Sequence, residues 1–374
     1  MNLKQRNKPV AIVTGGCGFI GHHFVEHLLQ KTDYDIIVLD KLSYASMGYS
    51  RIRDLGASGS GKFLLDRGER VRIFTVDLCS SLPQGLVYEL QAAKVEIIVH
   101  MAAETHVDNS ISDPVPFVQN NVNSVLSMLE FARTLPKLKA FFYFSTDEVF
   151  GSAPKGFIGY KEWDRHNPTN PYSASKSAAE QICMSYHNTY ELPVMIVNVM
   201  NAYGERQHPE KFIPLAIKKI LKGEQLTIHA YPGTLEPGSR FYIHARNIAS
   251  AVLFLLNNGK NGEKYNVRGE EEVSNLRLAQ IIADECGKPL NYVLDANVEV
   301  RPGHDVRYAL DGSKLDAMGW TAPVGFEESL RKVVRWTLQN KRWLDAGEFQ
   351  FKSLNSGTAE PAKRAASAPS RSKL

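Results

Sequence analysis

The chain has 374 residues, 43% of them hydrophobic, 22% charged and 10% aromatic, the make-up of a globular protein with room for one or two domains. These values exclude whole-chain disorder, a collagen-like repeat and a disulfide-stapled miniprotein. The formal net charge of +4 resides in residues 351–374, where Lys352, Lys363, Arg364, Arg371 and Lys373 face Glu360 alone. The remaining body is neutral, so neither nucleic acid nor a membrane surface is expected as a partner.

In chain order, residues 10–14 (VAIVT) form a short β-branched run that leads directly into glycines, and residues 19–29 show helical spacing. Further buried strands are expected at 35–39, 71–76, 95–100 and 140–145, most of them separated by helical patterns. Apolar strands alternating with helices predict an α/β fold, a Rossmann-like doubly wound parallel sheet covered on both faces. GASGSG, residues 56–61, reads as a solvated surface loop. Near residue 200 the rhythm changes to longer stretches punctuated by Pro and Gly (NAYGERQHPEKFIP, HAYPGTLEPGS). The expected division is residues 1–200 as the dinucleotide-binding domain with a later return near 240–262. Residues 201–350 would form a smaller C-terminal substrate-binding region over the sheet's carboxyl edge. Residues 351–374 form a basic tail too poor in apolar surface to order itself.

Cys17, Cys79, Cys183 and Cys286 lie far apart without a CxxC pair, which argues against zinc or a disulfide framework and for a reducing compartment. MNLKQRNKPV lacks the apolar segment of a secretory signal, and the longest apolar run, at about 251–256, is too short to span a bilayer. A soluble intracellular protein is expected.

Three motifs carry chemistry. GGCGFIG, residues 15–21, follows a strand and opens a helix. Gly15, Gly18 and Gly21 permit a tight turn, close approach of a pyrophosphate and helix-on-strand packing, with the anion at the helix N-terminus. Asp40, at the end of the second strand, suits the adenosine ribose hydroxyls and would repel a 2′-phosphate, so NAD is favoured over NADP. Tyr172 and Lys176, at i and i+4 after Pro171, share a helical face, where an ammonium and a bound nicotinamide would lower the phenol's pKa. Tyr172 then becomes a base for a sugar or alcohol hydroxyl. By itself YxxxK is weak, but this is the one such motif among fifteen tyrosines, and it stands at a suitable distance from the dinucleotide half. Ser145-Thr146-Asp147-Glu148 ends the fifth strand, where ligands bind in open parallel sheets. Two adjacent carboxylates in unlike environments can move a proton and expel water there. No metal ligands are expected; His22 and His23 read as structural.

Through these motifs the chain resembles the nucleoside-diphosphate-glucose 4,6-dehydratases of the extended short-chain dehydrogenase/reductase family. TGGCGFIG, LDKLSYAS, HMAAETHVDNSI, FSTDEVFG, NPYSASKSAAE, NAYGERQHPEKFIPL and RPGHDVRYALDGSKLDAMGW carry the likeness from about residue 9 to about 340. The resemblance implies NAD as a bound cofactor and dTDP-glucose or UDP-glucose as substrate, with RPGHDVRY leaning toward dTDP. Tyr172 would take the O4 proton while hydride leaves C4, with Lys176 holding the cofactor ribose and Thr146 bonding O4. Glu148 would remove the C5 hydrogen and Asp147 protonate the departing 6-hydroxyl, before hydride returns to C6. By position, Gly15, Gly18, Phe19, Ile20, Gly21, Asp40, Lys41, Asp77, Leu78, Ala102 and Ala103 would hold the cofactor together with Tyr172 and Lys176. Glu104, Thr105 and His106 would line the sugar pocket, joined by Asn201, Glu210 and Lys211. Arg240 and Arg301 would bind the diphosphate, with His304 beside it or structural. The resemblance further implies a homodimer built on helices near 117–135 and 172–190. The alternatives are a 4-epimerase or decarboxylase on the same scaffold, against which the Asp147–Glu148 pair argues, and a non-catalytic NAD-sensing protein.

Three departures from the family pattern stand out. The stretch between Tyr44 and Asp77 is longer than usual and reads as enlarged surface loop. Arg246 and Asn247 stand where relatives have acids. The tail is an addition, and its end, Ser372-Lys373-Leu374, matches the address read by the peroxisomal import receptor. A peroxisome or related organelle is therefore expected, the cytoplasm otherwise.

Overall fold

The computed structural model describes residues 8–57, 70–231, 233–296 and 307–345. Arg301, His304 and the tail with its Ser372-Lys373-Leu374 end lie outside the described residues, as does most of the 56–61 loop.

The first half alternates strand and helix: β1 (Val10–Thr14), α1 (Phe19–Lys31), β2 (Asp35–Asp40), α2 (Ser50–Ala57), β3 (Val71–Thr75), α3 (Gln84–Gln91) and β4 (Val95–His100). After α4 (Val107–Ser112) and α5 (Pro114–Ala132) come β5 (Ala140–Thr146), α6 (Pro171–Tyr190) and β6 (Val194–Val199). The rest comprises β7 (Ala202–Tyr203), α7 (Phe212–Lys222), β8 (Leu226–His229), β9 (Ser239–Phe241), β10 (Ile243–His244), α8 (Ala245–Asn258) and β11 (Lys264–Val267). The described chain closes with β12 (Glu272–Ser274), α9 (Asn275–Cys286), β13 (Tyr292–Asp295), α10 (Ser313–Ala317) and α11 (Phe326–Gln339).

Among the described residues the main sheet has seven strands in the order β11-β6-β5-β4-β1-β2-β3, every pair parallel. All but the edge strand β3 are buried throughout. Burial on both faces is why these strands read as continuous apolar runs rather than alternating ones. One face packs on α1 and α8 through Phe24, Val25, Leu28, Ile248, Val252 and Leu255. The other packs on α5 and α6 through Val125, Met128, Leu129, Ala179 and Cys183. The chain leaves β1 toward β2 and β3, then crosses back to β4, so the order reverses between β1 and β4 and opens a crevice at the strand carboxyl ends.

Two sheet strands escape the sequence pattern. β6 sits against the change of rhythm near residue 200. β11, KYNV, carries two polar residues inward: Lys264 pairs with buried Glu180 at 2.8 Å, and Asn266 donates to the Tyr160 and Asp311 carbonyls. A second core gathers α7, α9 and α11 through Ile213, Ile217, Leu278, Ile282, Leu330 and Val334.

The long stretch after Tyr44 is more than a surface loop. Its first part forms α2, whose Ile52 and Leu55 join the main core. Arg51 on α2 is fully buried; its guanidinium donates to the carbonyls of Arg206 at 3.0 Å, Ala45 at 2.7 Å, Ser46 at 2.9 Å and Cys17 at 3.2 Å. Asp54, one turn on, accepts from Arg206 Nε at 3.2 Å, Trp343 Nε1 at 3.1 Å and Arg342. This ties α2 to the C-terminal region, a function that sequence spacing does not reveal. Gly56 and Ala57 end the helix instead of opening a loop.

Candidate active site

A cleft of about 500 Å³ opens over the carboxyl ends of the central strands, within the usual size range of small-molecule sites. Gly15, Gly18, Phe19, Ile20, Gly21, Asp40, Lys41, Asp77, Leu78, Ala102 and Ala103 all line it. Gly15 has φ +67°, and a Cβ there would stand 2.9 Å from Ala102 Cα; one at Gly21 would stand 2.2 Å from the Gly15 carbonyl oxygen. Gly18 caps α1 with no side-chain hydrogen bond, so the first-turn N–H groups are left to an anion. At the end of β2, Asp40 accepts from Leu42 N–H at 2.8 Å and Cys17 N–H at 2.9 Å, one bond on each oxygen. Burial raises its pKa against those two bonds, and each oxygen retains a lone pair for a ribose hydroxyl. Close-packed glycines under an open helix end, with a fixed acid across from them, fit NAD.

The candidate reactive groups come from the end of β5, the turn after it and α6. Thr146 closes β5, donates to Asp147 Oδ1 at 3.0 Å and accepts from Glu148 N–H at 3.4 Å. Asp147 is only 5% exposed, and its Oδ2 has no hydrogen-bond partner among the described residues. Burial, followed by the neighbouring Glu148 charge, pushes its pKa up to about 7. Glu148 is half-buried and accepts from Asn170 Nδ2 at 3.4 Å and Tyr308 Oη at 3.3 Å. The two adjacent carboxyls thus have unlike surroundings, one buried and one half-exposed, an arrangement that can set an acid beside a base.

Asn170 and Ser173 form a capping box, with Pro171 in the first turn, and this starts α6 so that Tyr172 and Lys176 face the cleft. The Lys176 ammonium donates to the Phe144 carbonyl at 2.6 Å and lies 4.4 Å from the Tyr143 ring centroid; burial lowers its pKa to about 8. The expected acidification of Tyr172 by Lys176 does not emerge. Burial, then the Glu148 charge, pushes the phenol's pKa up, with a hydrogen bond to Thr146 opposing them. The dominant cause is burial of the phenol, while the Lys176 ammonium is turned to the Phe144 carbonyl.

Thr105, Asn201, Glu210, Lys211 and Arg240 also line the cleft, but Glu104 and His106 do not. Glu104 turns to Lys41, with Oε1 at 2.7 Å from Nζ. His106 caps α4 by accepting from Asn109 N–H and stands 3.8 Å from Glu210. Many other lining residues carry no expectation from the sequence, among them Asn120, Arg51 and Asn275. Asn120 accepts from Lys41 at 2.8 Å and Arg51 is buried beneath the cleft wall; neither carries a local signal. Asn275 is hydrogen-bonded through Oδ1 to Tyr242 at 2.8 Å. Tyr308, which reaches Glu148, stands inside the RPGHDVRY stretch and was open to discovery there. His22 and His23 are buried and bond the Gly18 and Glu205 carbonyls, and no metal-binding group of side chains occurs among the described residues. Arg246 pairs with Glu205 at 3.0 Å, and Asn247 bonds Val324 in both directions, so both departures are tied into the fold by polar contacts.

A sequence model of the GDP-mannose 4,6 dehydratase family matches residues 12–333. A dTDP-glucose 4,6-dehydratase of Haemophilus influenzae is 34% identical, over 88% of this chain and 98% of its own length. A trifunctional protein of Arabidopsis thaliana, with UDP-glucose 4,6-dehydratase among its activities, is 35% identical over 89% of this chain, which spans 47% of that protein. The crystal structure of a dTDP-glucose 4,6-dehydratase from Streptomyces venezuelae, solved with NAD bound, superposes with a TM-score of 0.77 at 33% identity, covering 91% of this chain and 99% of the other. With the glycine cradle, the Thr-Asp-Glu turn and the Tyr–Lys helix joined in one cleft, the chain belongs to the nucleotide-sugar 4,6-dehydratase family of the extended short-chain dehydrogenases/reductases.

Proposed function

We propose that this protein converts dTDP-glucose or UDP-glucose to the 4-keto-6-deoxy sugar nucleotide plus water. The observation that carries the reading is the split between Asp147, buried with its pKa at about 7, and half-exposed Glu148 on the same turn. When bound, NAD supplies the hydride acceptor at C4 and the donor at C6. Gly15, Gly18 and Gly21 would hold its pyrophosphate, Asp40 its adenosine ribose and Lys176 its nicotinamide ribose. Tyr172 would hold the O4 proton with Thr146 bonding the same oxygen. Glu148 would remove the C5 proton, and Asp147 would protonate the leaving 6-hydroxyl. Arg240 would meet the diphosphate, with Arg301 as its companion.

Incubation with dTDP-glucose and UDP-glucose separately, followed by mass spectrometry, tests this. Loss of one water from one substrate names the nucleotide, and loss from both means a loosely read base. Loss from neither, with NAD bound, refutes the reading.

Residues 1–200, with the return near 240–262, would bind the cofactor and residues 201–350 mainly the sugar nucleotide. A homodimer would bury Val115, Val118 and Leu126 of α5, which are 57%, 47% and 40% exposed, and Tyr190 of α6. Import through Ser372-Lys373-Leu374 would place the protein in peroxisomes. No helix among the described residues is long and apolar enough to cross a membrane.

A further inference from the structure

Below the reactive face of α6 lies a cluster of charged side chains that the proposed chemistry does not use. Tyr172, Lys176 and Glu180 follow one another at i, i+4 and i+8 along one face. Glu180 has no exposure at all. Its Oε1 accepts from Ser145 Oγ, one residue before Thr146, and from Asn198 Nδ2 at 2.8 Å. Its Oε2 meets Lys264 Nζ of β11 at 2.8 Å and His166 Nε2 at 3.5 Å. Lys264 is itself buried and lies 4.9 Å from the Trp163 ring centroid. Neither Glu180 nor Lys264 lines the cleft. A buried ion pair is a poor device for stability, since an apolar pair of the same volume serves as well or better. Its place one turn from Lys176 suggests another use.

We propose that the buried Glu180–Lys264 pair is a positioning element of the active site, holding Lys176 as the cation that serves Tyr172 and the cofactor ribose. This rests on the dehydratase reading only for what Lys176 does in turnover. The groups that face Lys176 are Glu180 and Cys183 on α6, Tyr143 on β5 and His100 on β4. Those that face Glu180 are Lys176 and Cys183 on α6, Tyr143 on β5, Lys264 on β11 and His166 before α6. Of these, Glu180 and Lys264 are the pair of opposite charges whose removal changes the field at Lys176 in opposite senses.

The test titrates Lys176 directly, by NMR of protein carrying labelled lysine side chains, with Lys176→Arg assigning the signal, and compares the pH–rate profile of the NAD-loaded enzyme. Glu180→Gln leaves Lys264 uncompensated, and Lys176 should lose its proton about one pH unit lower, moving the alkaline limb of kcat down with it. Lys264→Met leaves the carboxylate alone and should move both upward. The double variant restores neutrality and should return both to within about half a unit of the parent. Coincident titrations in all variants that fold would overturn the proposal, as would failure of both single variants to fold. The NMR titration reads Lys176 whether or not any sugar nucleotide loses water, so a failure here stays distinct from a failure of the proposed reaction.

Discussion

Replacing Asp147 by Asn keeps the shape of the turn, since an amide oxygen can still accept from Thr146 Oγ1, 3.0 Å from Oδ1 in the parent, but removes the proton that the proposed acid role requires. An ordinary aspartate near 3.8 would be protonated about one part in a thousand at pH 7. Burial and the Glu148 charge bring Asp147 to about 7, so about half the molecules carry the acid at that pH, and the fraction falls about tenfold for each further unit. The parent rate of water loss should decline above pH 7 with that slope. In Asp147→Asn it should be lower by about a hundred- to ten-thousandfold, with NAD binding intact and C4 oxidation still visible as reduced nicotinamide absorbance.

The same substitution should stabilise the fold. A carboxyl whose folded pKa is raised contributes fully below its unfolded value and loses that contribution as pH rises through about 7. The parent therefore carries a cost of order 2–4 kcal/mol at pH 8, which Asn relieves. Denaturant unfolding at pH 8 beside product mass spectrometry gives both readouts. A variant that dehydrates at the parent rate would refute the acid role of Asp147, and one with unchanged stability would refute the buried-acid account of it.

Gly15→Ala places a Cβ 2.9 Å from the Ala102 backbone at φ +67°, and NAD affinity by calorimetry should fall at least about tenfold. His22 and His23 titrate well below 6.5 and His100 near 3, burial being the first cause in each case. Their folded pKa values are depressed, so their contribution is present above about 6.5 and is lost as pH falls. The slope should reach about 4 kcal/mol per unit for the three together, seen as a steep drop in Tm below pH 6; a flat Tm down to pH 4 would contradict it. Val118→Glu should shift the sedimentation coefficient toward the monomer if α5 forms the dimer face. If Ser372-Lys373-Leu374 is read as an import address, a fluorescent fusion at the N-terminus should collect in peroxisomes and lose that location when the three residues are deleted.

Much of the fold and site was open to reading along the chain because its signals are local. A strand buried on both faces is apolar nearly throughout, so β1, β2, β4 and β5 declare themselves within five to seven residues. The glycines at 15, 18 and 21 and the spacing of Tyr172 and Lys176 belong to single turns of backbone. Burial and charge pairing are not local. Arg51 becomes a core residue because four carbonyls from three separate segments converge on it. KYNV becomes a sheet strand because Glu180, 84 positions earlier, receives its lysine. Glu104, beside the pocket in sequence, leaves it for Lys41. The choice of candidate reactive groups therefore followed from order along the chain. Their protonation did not: it depends on which distant side chains exclude water from them, and only the folded chain brings those together.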